Sequence, residues 1–167
     1  MAPVTSLLAH RCRAVVSTLA EGVAVGAVLA SRNAPPWSPA RVRTCAGAVA
    51  LVVADQLSGE LPAALREFRR TGEVPPTPAH ERRALVRAGV SGWAVGLLLW
   101  ALDRPAQRAL ARRGVLRPHR WLGAAGGLAH AAAVAPVHWR LAADRAAAEV
   151  EREASVEAEL QAMAAGR

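Results

Sequence analysis

The segment GWAVGLLLWAL, residues 92–102, carries the strongest signal for a membrane-spanning helix in this chain. Three consecutive leucines stand between two tryptophans, and the surrounding apolar stretch, residues 84–102, contains a single charged residue, Arg87, near its start. About 20 predominantly apolar residues in a helix cross the hydrocarbon core of a bilayer. Residues 84–102 therefore predict a transmembrane helix.

Three further apolar stretches, each about 17 to 19 residues long, predict weaker spans: residues 14–31, 42–58 and 121–139. The first is interrupted by Glu21, the second has Asp55 near its end, and the third is rich in alanine and glycine. Alanine contributes little to insertion, and a carboxylate in the middle of a span costs ~2.5–3.5 kcal/mol. Together the four stretches predict an all-α integral membrane bundle of about four transmembrane helices within residues 1–143. A soluble all-α protein is the alternative, because only residues 84–102 are convincing alone.

Small residues dominate the apolar stretches. The chain of 167 residues, enough for one domain, is 53% hydrophobic but has one Phe and no Tyr, so it lacks the aromatics that usually fill a soluble core. Small residues instead allow helices to approach closely in lipid, and a GxxxG pair places two glycines on one side of a helix. Three such pairs predict helix-packing faces: Gly22 and Gly26, Gly92 and Gly96, and Gly123 and Gly127.

Proline-rich links predict where the helices end. Residues 33–39 read NAPPWSP and residues 71–78 read TGEVPPTP, and neither segment can continue a helix. Two short helices are predicted within the links, at residues 61–70 and, after Asp103 and Pro105, at residues 106–113.

The C-terminal segment, residues 144–167, has a different composition from the apolar stretches. It is rich in alanine and glutamate, and it predicts a cytoplasmic helical tail that continues out of the fourth span. Val156, Leu160 and Met163 form a short apolar stripe at helical spacing along it.

Arginine accounts for all 21 basic residues, and the formal net charge is +8. The arginines cluster between the apolar stretches, which favours contact with anionic lipid headgroups, whereas nucleic-acid binding is not expected because no aromatic residues are interleaved with them. Membrane lipids are therefore the expected partners, together with other membrane proteins or a second copy of the chain. No lysine is present, which indicates a GC-rich bacterial genome and hence a bacterial cell membrane.

The distribution of arginines predicts the orientation. Twelve lie on the side of the termini and nine on the other side, which favours both termini in the cytoplasm, although six of the nine lie between residues 104 and 120 and oppose this reading. The N-terminal segment also resembles a cleavable secretory signal, with Arg11 and Arg13 before an apolar run that ends in Val28-Leu29-Ala30. Glu21 within that run counts against cleavage.

Ionisable residues within the apolar stretches form a candidate intramembrane polar site. Glu21, Asp55 and His138 fall toward the same face of the membrane, with His130 near the middle of the fourth span and Arg87 as a plausible counter-charge. Such groups are costly in lipid and normally face a bundle interior, a cavity or a partner charge. They could relay protons or bind a cation, although Asp55 and His138 could also simply reach the interface.

No catalytic motif is evident. The sequence has no Walker loop, no HExxH and no GxSxG, so no catalytic residue, cofactor or metal site is predicted. Cys12 and Cys45 lack any CxxC or Cys/His spacing and are predicted to be unreactive. Pro136 is predicted to kink the fourth span because it has no N–H for the carbonyl of Ala132.

Three functions fit these observations. The first is a non-enzymatic accessory or assembly component of a membrane, packed through small-residue faces. The second is a small proton- or cation-coupled transporter component that uses Glu21, Asp55 and His130. The third is a membrane-embedded enzyme that acts on a lipid-soluble substrate with the same groups as acid and base.

Overall fold

A computed structural model describes residues 2–73 and 79–165, and within these ranges the chain is all-helical with no strand. The all-α prediction is confirmed. The elements, in chain order, are four long helices and one short 3₁₀ turn: α1 (Ala2–Ala30), the 3₁₀ turn Ser31–Asn33, α2 (Pro39–Thr71), α3 (Ala79–Arg112) and α4 (Pro118–Ala165).

Local chemistry explains the helix ends. The Ser38 side chain accepts a hydrogen bond from the backbone N–H of Arg41 at 3.4 Å, and Pro39 occupies the first turn of α2, where its missing N–H costs nothing. Gly72 and Gly114 follow α2 and α3 with φ values of 77° and 78°, the left-handed conformation that ends helices and that glycine adopts without strain.

Both short helices predicted in the links are parts of longer helices. Residues 61–70 continue α2 without interruption, and residues 106–112 continue α3 through Pro105. The prediction that Asp103 and Pro105 begin a new helix was therefore wrong. Proline removes only one backbone hydrogen bond, and Asp103 in the preceding turn is held by contacts with other helices.

The predicted C-terminal tail is likewise part of a continuous α4, which passes through Pro136 to Ala165. The first part of the predicted tail still belongs to the bundle, because Ala146 is buried and Glu149 contacts His10 of α1 at 3.1 Å. From residue 150 to residue 165 every side chain is exposed, including the stripe of Val156, Leu160 and Met163.

Each packed pair of helices is antiparallel, because residues early in one helix meet residues late in the other, as in Arg13 with Asp55 and Ser31 with Cys45. The α1–α4 and α3–α4 contacts show the same reversal, so successive helices alternate in direction. Helix α4 packs against both α1 and α3, whereas α2 packs against α1. Within the described ranges, no Cα atom of α2 comes within 8 Å of one in α3. The bundle therefore has three close helix pairs and an open side between α2 and α3.

Helices α1 and α4 meet backbone to backbone at two of the predicted GxxxG pairs. A Cβ atom added to Gly22 would lie 2.9 Å from the Gly127 carbonyl oxygen, and one added to Gly26 would lie 2.9 Å from that of Gly123. On the other helix, a Cβ on Gly123 or Gly127 would lie 2.5 Å from the oxygen of Gly26 or Gly22. Only glycine fits at this crossing.

The third GxxxG pair, on α3, has different surroundings. A Cβ on Gly92 would lie 3.2 Å from Cε1 of His130, whereas one on Gly96 would meet no atom within 4 Å. Gly96 therefore faces open space among the residues that the structure describes.

Small side chains fill the centre of the bundle and large ones cover its outside. Apart from Val134 and Leu141, the buried hydrophobic side chains among the described residues are alanines. Trp93 and Trp100 are 75% and 71% exposed, and most leucines and valines also point outward. This is the reverse of the distribution in a water-soluble domain, in which large apolar side chains are buried.

Two segments of the described chain are long and apolar enough to cross a membrane by length and composition: Ser6–Asn33 and Glu81–Arg112. The predicted spans at residues 42–58 and 121–139 do not meet this criterion, so the number of four is not confirmed. Residues 42–58 include Arg43, Asp55 and Gln56, and residues 121–139 consist largely of alanine, glycine and histidine. These residues lower the average hydropathy although both segments are helical.

Substituting Gly127 should separate α1 from α4. Gly127→Leu places a side chain against the Gly22 carbonyl. The backbone of α1 cannot move aside as a flexible side chain could, so we expect the free energy of unfolding to fall by about 3 kcal/mol. Unfolding by a denaturing detergent, followed by tryptophan fluorescence and circular dichroism, measures this change. Gly47→Leu is the matched control, because a Cβ there meets nothing within 4 Å. Equal unfolding midpoints for the two variants would contradict the packing argument.

Candidate functional site

The carboxylate of Glu21 lies between two histidines of α4. One carboxylate oxygen is 3.3 Å from Nε2 of His130, and the other is 3.1 Å from Nε2 of His138. All three side chains are largely buried, with 10% to 16% of their surfaces exposed. We call these three residues the Glu21 cluster.

The glycine crossing explains how the cluster forms. Gly22, the residue after Glu21, touches the backbone of α4 at Gly127, so the Glu21 side chain starts very close to α4. The two histidines are eight residues apart, about 12 Å along the helix axis, and the carboxylate reaches both because each of its oxygens points to a different ring.

The three side chains of the Glu21 cluster all belong to residue types that can bind a proton. A neutral imidazole has one donor and one acceptor nitrogen, so each ring can either donate to the carboxylate or accept from its protonated form. Histidine changes charge near neutral pH, and a carboxylate beside it compensates that charge. Gain or loss of a proton changes the net charge of the cluster by one, and the hydrogen bonds between the carboxylate and the two rings stabilise the charged group within the bundle.

A cleft of about 330 Å³ gives access to the cluster from the open side between α2 and α3. Glu21 and His130 line it together with Gln56, and most of the remaining lining is apolar, including Val52 and Leu85. An adjoining apolar cleft of about 380 Å³ lies between the same helices, lined by residues that include Val49, Gly96 and Leu99. We call the two clefts together the α2–α3 groove.

Asp55 is not part of the Glu21 cluster, contrary to the prediction that the two carboxylates share a site. Its carboxylate lies 3.3 Å from the guanidinium of Arg13, which also donates to the Asp55 carbonyl oxygen and, at 2.7 Å, to Ser58 Oγ. Arg13 is eight residues before Glu21, about 12 Å along α1. Asp55, which contacts Arg13, therefore lies at a different height along the bundle axis from Glu21. Asp55 is buried, and Arg13 compensates its charge.

Arg87 is also placed elsewhere. It lines a cleft between α3 and α4 together with Arg83 and Arg140, whereas the described partners of Glu21 are the two histidines. The prediction that Arg87 is the counter-charge of Glu21 was therefore wrong. Sequence position indicated the correct end of the bundle but not the correct side of helix α3.

The sequence interpretation missed a second polar group at the opposite end of the bundle. Asp103 accepts a hydrogen bond from Arg32 at 2.6 Å, and its other oxygen lies 3.4 Å from Nδ1 of His119. His119 is buried, and its Nδ1 is at ion-pair distance without the geometry of a hydrogen bond. The signal was present, since Arg32 and Asp103 are opposite charges that the predicted topology places on the same side.

Further ion pairs that the sequence interpretation missed lie at the end of the bundle that carries Asp55. Glu81 of α3 accepts a hydrogen bond from Arg145 of α4 at 2.8 Å, and His10 of α1 contacts Glu149. The guanidinium of Arg11 also stacks 5.0 Å above the ring of Trp139. Charged contacts therefore join the helices at both ends, with the Glu21 cluster between them.

The cysteines and the metal-binding residue types form no common site in the structure. Cys12 is exposed, and Cys45 lies 3.9 Å from Ser31 Oγ, near the opposite end of α1. Across residues 2–73 and 79–165, no group of three or more histidine, cysteine or acidic side chains has the arrangement to hold a metal ion.

Removing the Asp103 charge should destabilise the bundle. Asp103→Asn leaves Arg32 and His119 without their carboxylate, so we expect the free energy of unfolding to fall by about 1–3 kcal/mol. Thermal unfolding in detergent measures this effect. Glu67→Gln is the control, because the Glu67–Arg70 pair is exposed and joins two residues of one helix, so its loss should change stability little. The hydrogen bond from Arg70 does lower the pKa of Glu67, but it holds no two helices together. Equal stability of Asp103→Asn and wild type would show that this group does not hold the bundle.

Comparison with known proteins identifies no relative from which a function could be transferred. No protein-family model, curated protein sequence or solved structure matches this chain. Any function must therefore be argued from the geometry of the chain itself.

Proposed function

We propose that this chain is an integral membrane protein whose four helices all cross the bilayer and whose role is to assemble with other membrane-embedded helices. The observation that carries this proposal is the distribution of side-chain size, with small residues inside the bundle and large apolar residues outside. Lipid favours this distribution, because apolar side chains lose nothing by facing hydrocarbon, and small residues allow close helix contact.

The positions of the charges support a membrane-sized apolar band. Residues 88–102 of α3 and 121–139 of α4 contain no arginine or acidic residue, which corresponds to about 22 and 28 Å of helix. The hydrocarbon core of a bilayer is about 30 Å thick. The ion pair between Arg32 and Asp103 lies at one end of this band, and the ion pair between Arg13 and Asp55 lies at the other end.

Tryptophans are placed near both ends of the band. The exposed side chains of Trp100 and Trp121 belong to residues close in sequence to Asp103 and His119, at one end of the band. Trp139 lies at the other end, with the guanidinium of Arg11 over its ring. Tryptophan is enriched where hydrocarbon meets headgroups, because its ring is apolar and its N–H is polar. The aromatic positions therefore support the same two boundaries.

Tertiary contacts explain how α2 and α4 can be spans despite their modest hydropathy. The polar groups that lower it are paired inside the bundle, Asp55 with Arg13 and both α4 histidines with Glu21. The glycines of α4 that expose its backbone are covered by α1. Paired and covered groups cost less in lipid than the same groups on an isolated helix.

The alternating helix directions support a topology with both termini on one side of the proposed bilayer, and the arginine excess on that side favours the cytoplasm of a bacterial cell. The exposed end of α4, residues 150–165, then extends into the cytoplasm.

The α2–α3 groove supports the assembly role, with a membrane-embedded helix as its occupant. It runs along two helices that do not touch each other, its lining is mostly apolar, and Gly96 leaves open space at its surface. A small residue facing open space lets another helix approach closely. The Gly22–Gly127 face, in contrast, is already filled within this chain.

Membrane integration is tested by extraction. The full chain should remain with the membrane fraction after washing at high pH and high salt, and it should require detergent for solubility, because its outer surface carries exposed tryptophan, leucine and valine side chains. A chain that dissolves as a monomer without detergent would contradict the proposal.

Assembly through the groove is tested by a photo-reactive residue at position 96 in the native membrane. We expect a discrete covalent adduct with one identified membrane protein or with a second copy, because position 96 faces the groove. The same residue at position 47, which also faces open space but outside the groove lining, should give no such adduct. Identical adduct patterns at both positions would count against docking in the groove.

The Glu21 cluster favours a second candidate function, a proton-coupled component of a membrane transporter. A carboxylate bridging two buried histidines, and reachable through a cleft, can take a proton from one side and release it later.

Proton coupling is tested with Glu21→Gln in reconstituted vesicles that contain a pH-sensitive dye. Glutamine keeps the shape and can still hydrogen-bond, but it cannot carry the proton, so any proton-coupled flux should be abolished. The matched control is Glu153→Gln, on the exposed end of α4. Flux that persists at the wild-type rate in Glu21→Gln would leave only the assembly role.

A further inference from the structure

The two clefts of the α2–α3 groove differ in their polar groups. The cleft of about 330 Å³ is lined by Glu21, Gln56 and His130 among otherwise apolar residues, whereas the adjoining cleft of about 380 Å³ is lined by apolar residues alone. We call the first of them the Glu21 cleft. Small-molecule sites in proteins are typically clefts of about 300–1,000 Å³ with mostly apolar walls and a few polar groups that orient the ligand. The Glu21 cleft has this composition.

Two polar groups of the Glu21 cleft have hydrogen-bonding capacity that the described part of the chain does not use. Each oxygen of the Glu21 carboxylate contacts one histidine, but a carboxylate oxygen has two lone pairs and can accept a second hydrogen bond. The half-buried side-chain amide of Gln56 has no hydrogen-bond partner among the described residues. Because a hydroxyl group both donates and accepts, one hydroxyl in the cleft can donate to Glu21 and accept from Gln56.

Helix α3 provides space and an aromatic surface beside these polar groups. Gly89 and Gly92 line the Glu21 cleft, and a Cβ atom added to Gly89 would meet no atom within 4 Å. Trp93 also lines the cleft, and 75% of its surface is exposed. Aromatic rings pack favourably against each other in offset-stacked or edge-to-face arrangements. The open space and the indole therefore suit a flat ring as the carrier of the hydroxyl group.

The surroundings of the cleft favour a neutral ligand. In the proposed membrane orientation, the open side between α2 and α3 faces hydrocarbon, and a charged molecule that entered from there would be costly to transfer. The hydroxyl of a phenol, like that of tyrosine, has a pKa of about 10 and is neutral at pH 7. A phenol with an apolar substituent therefore combines the required hydrogen bonding, shape and solubility in lipid.

We infer that the Glu21 cleft binds a neutral, lipid-soluble molecule with a hydroxyl group on an aromatic ring, with the hydroxyl at Glu21 and Gln56 and the ring beside Trp93. This inference rests on the proposed membrane function, because the ligand enters from hydrocarbon. It is compatible with a helix docked at Gly96, since Gly89 and Gly96 line different clefts and are seven residues, about 10 Å, apart along α3.

The binding test uses the purified full chain in a neutral detergent, titrated with para-butylphenol, with the thermal unfolding temperature as readout. The phenol should raise this temperature in a saturable manner, because it binds the folded chain. Its methyl ether has the same ring and chain but cannot donate to Glu21, so the half-saturating concentration should be on the order of tenfold higher. Para-butylcyclohexanol keeps the hydroxyl group but lacks the flat ring, and it should also bind more weakly than the phenol.

Variants locate the site within the groove. Gly89→Leu fills the Glu21 cleft from a position whose Cβ atom meets nothing within 4 Å, and it should abolish the response to the phenol. Gln56→Leu removes the amide and should raise the half-saturating concentration about fivefold. Gly47→Leu is the matched control outside both cleft linings and should respond like wild type. Gly96→Leu fills only the adjoining apolar cleft, so the phenol should still bind.

Several outcomes would overturn the inference. The absence of a saturable response in wild type would exclude the site, and equal affinities for the phenol and its methyl ether would remove the role of the hydroxyl group. Equal affinity for the cyclohexanol would remove the role of the ring, and wild-type affinity in both Gly89→Leu and Gln56→Leu would place the ligand elsewhere. These outcomes leave membrane integration and docking at Gly96 intact, whereas a chain that dissolves as a monomer without detergent would contradict the proposed function itself.

Discussion

The contact between the backbones of α1 and α4 is the constraint on which the rest of the structure depends. At this crossing, carbonyl oxygens of one helix lie where a Cβ atom of the other would be, so neither helix can carry a side chain there. Because the helices approach so closely, the short side chain of Glu21 can reach two histidines of α4. Because α4 is held by α1 on one face, its other face is available to α3. Packing and the polar cluster therefore have the same cause.

The charges of the chain are arranged in layers that follow from this packing. Ion pairs between helices lie at both ends, Arg32 with Asp103 at one and Arg13 with Asp55 at the other. Between them the helices carry almost no charge apart from the Glu21 cluster. An unpaired buried charge is costly, and every buried carboxylate described here has a basic or imidazole partner. The clefts of the bundle follow the same layers. The mostly apolar α2–α3 groove lies halfway along the bundle, and the cleft lined by arginines lies at one end.

The two proposed roles of the bundle place different demands on its interior. Assembly needs only a rigid outer surface and an open groove, both of which the glycine crossing and the end ion pairs can support. Proton coupling needs a group that changes charge and a path to it, and the Glu21 cluster beside the groove has both features. A helix docked in the groove would also cover the path to Glu21, so the two roles are physically linked through one surface.

The sequence by itself determined that the chain is all-helical, where its proline- and glycine-rich links stop the helices, and which glycines can allow close packing. These properties depend on local backbone chemistry and on spacing along one helix, which are readable from neighbouring residues. It also indicated that Glu21, His130 and His138 lie within apolar helices. Only the tertiary structure decided that Glu21 faces both histidines, that Asp55 pairs with Arg13, and that Arg87 lines a separate cleft with Arg83 and Arg140. The reason is that the position of a residue along its helix axis follows from its residue number. The direction in which its side chain points toward other helices depends on how all four helices are rotated and packed.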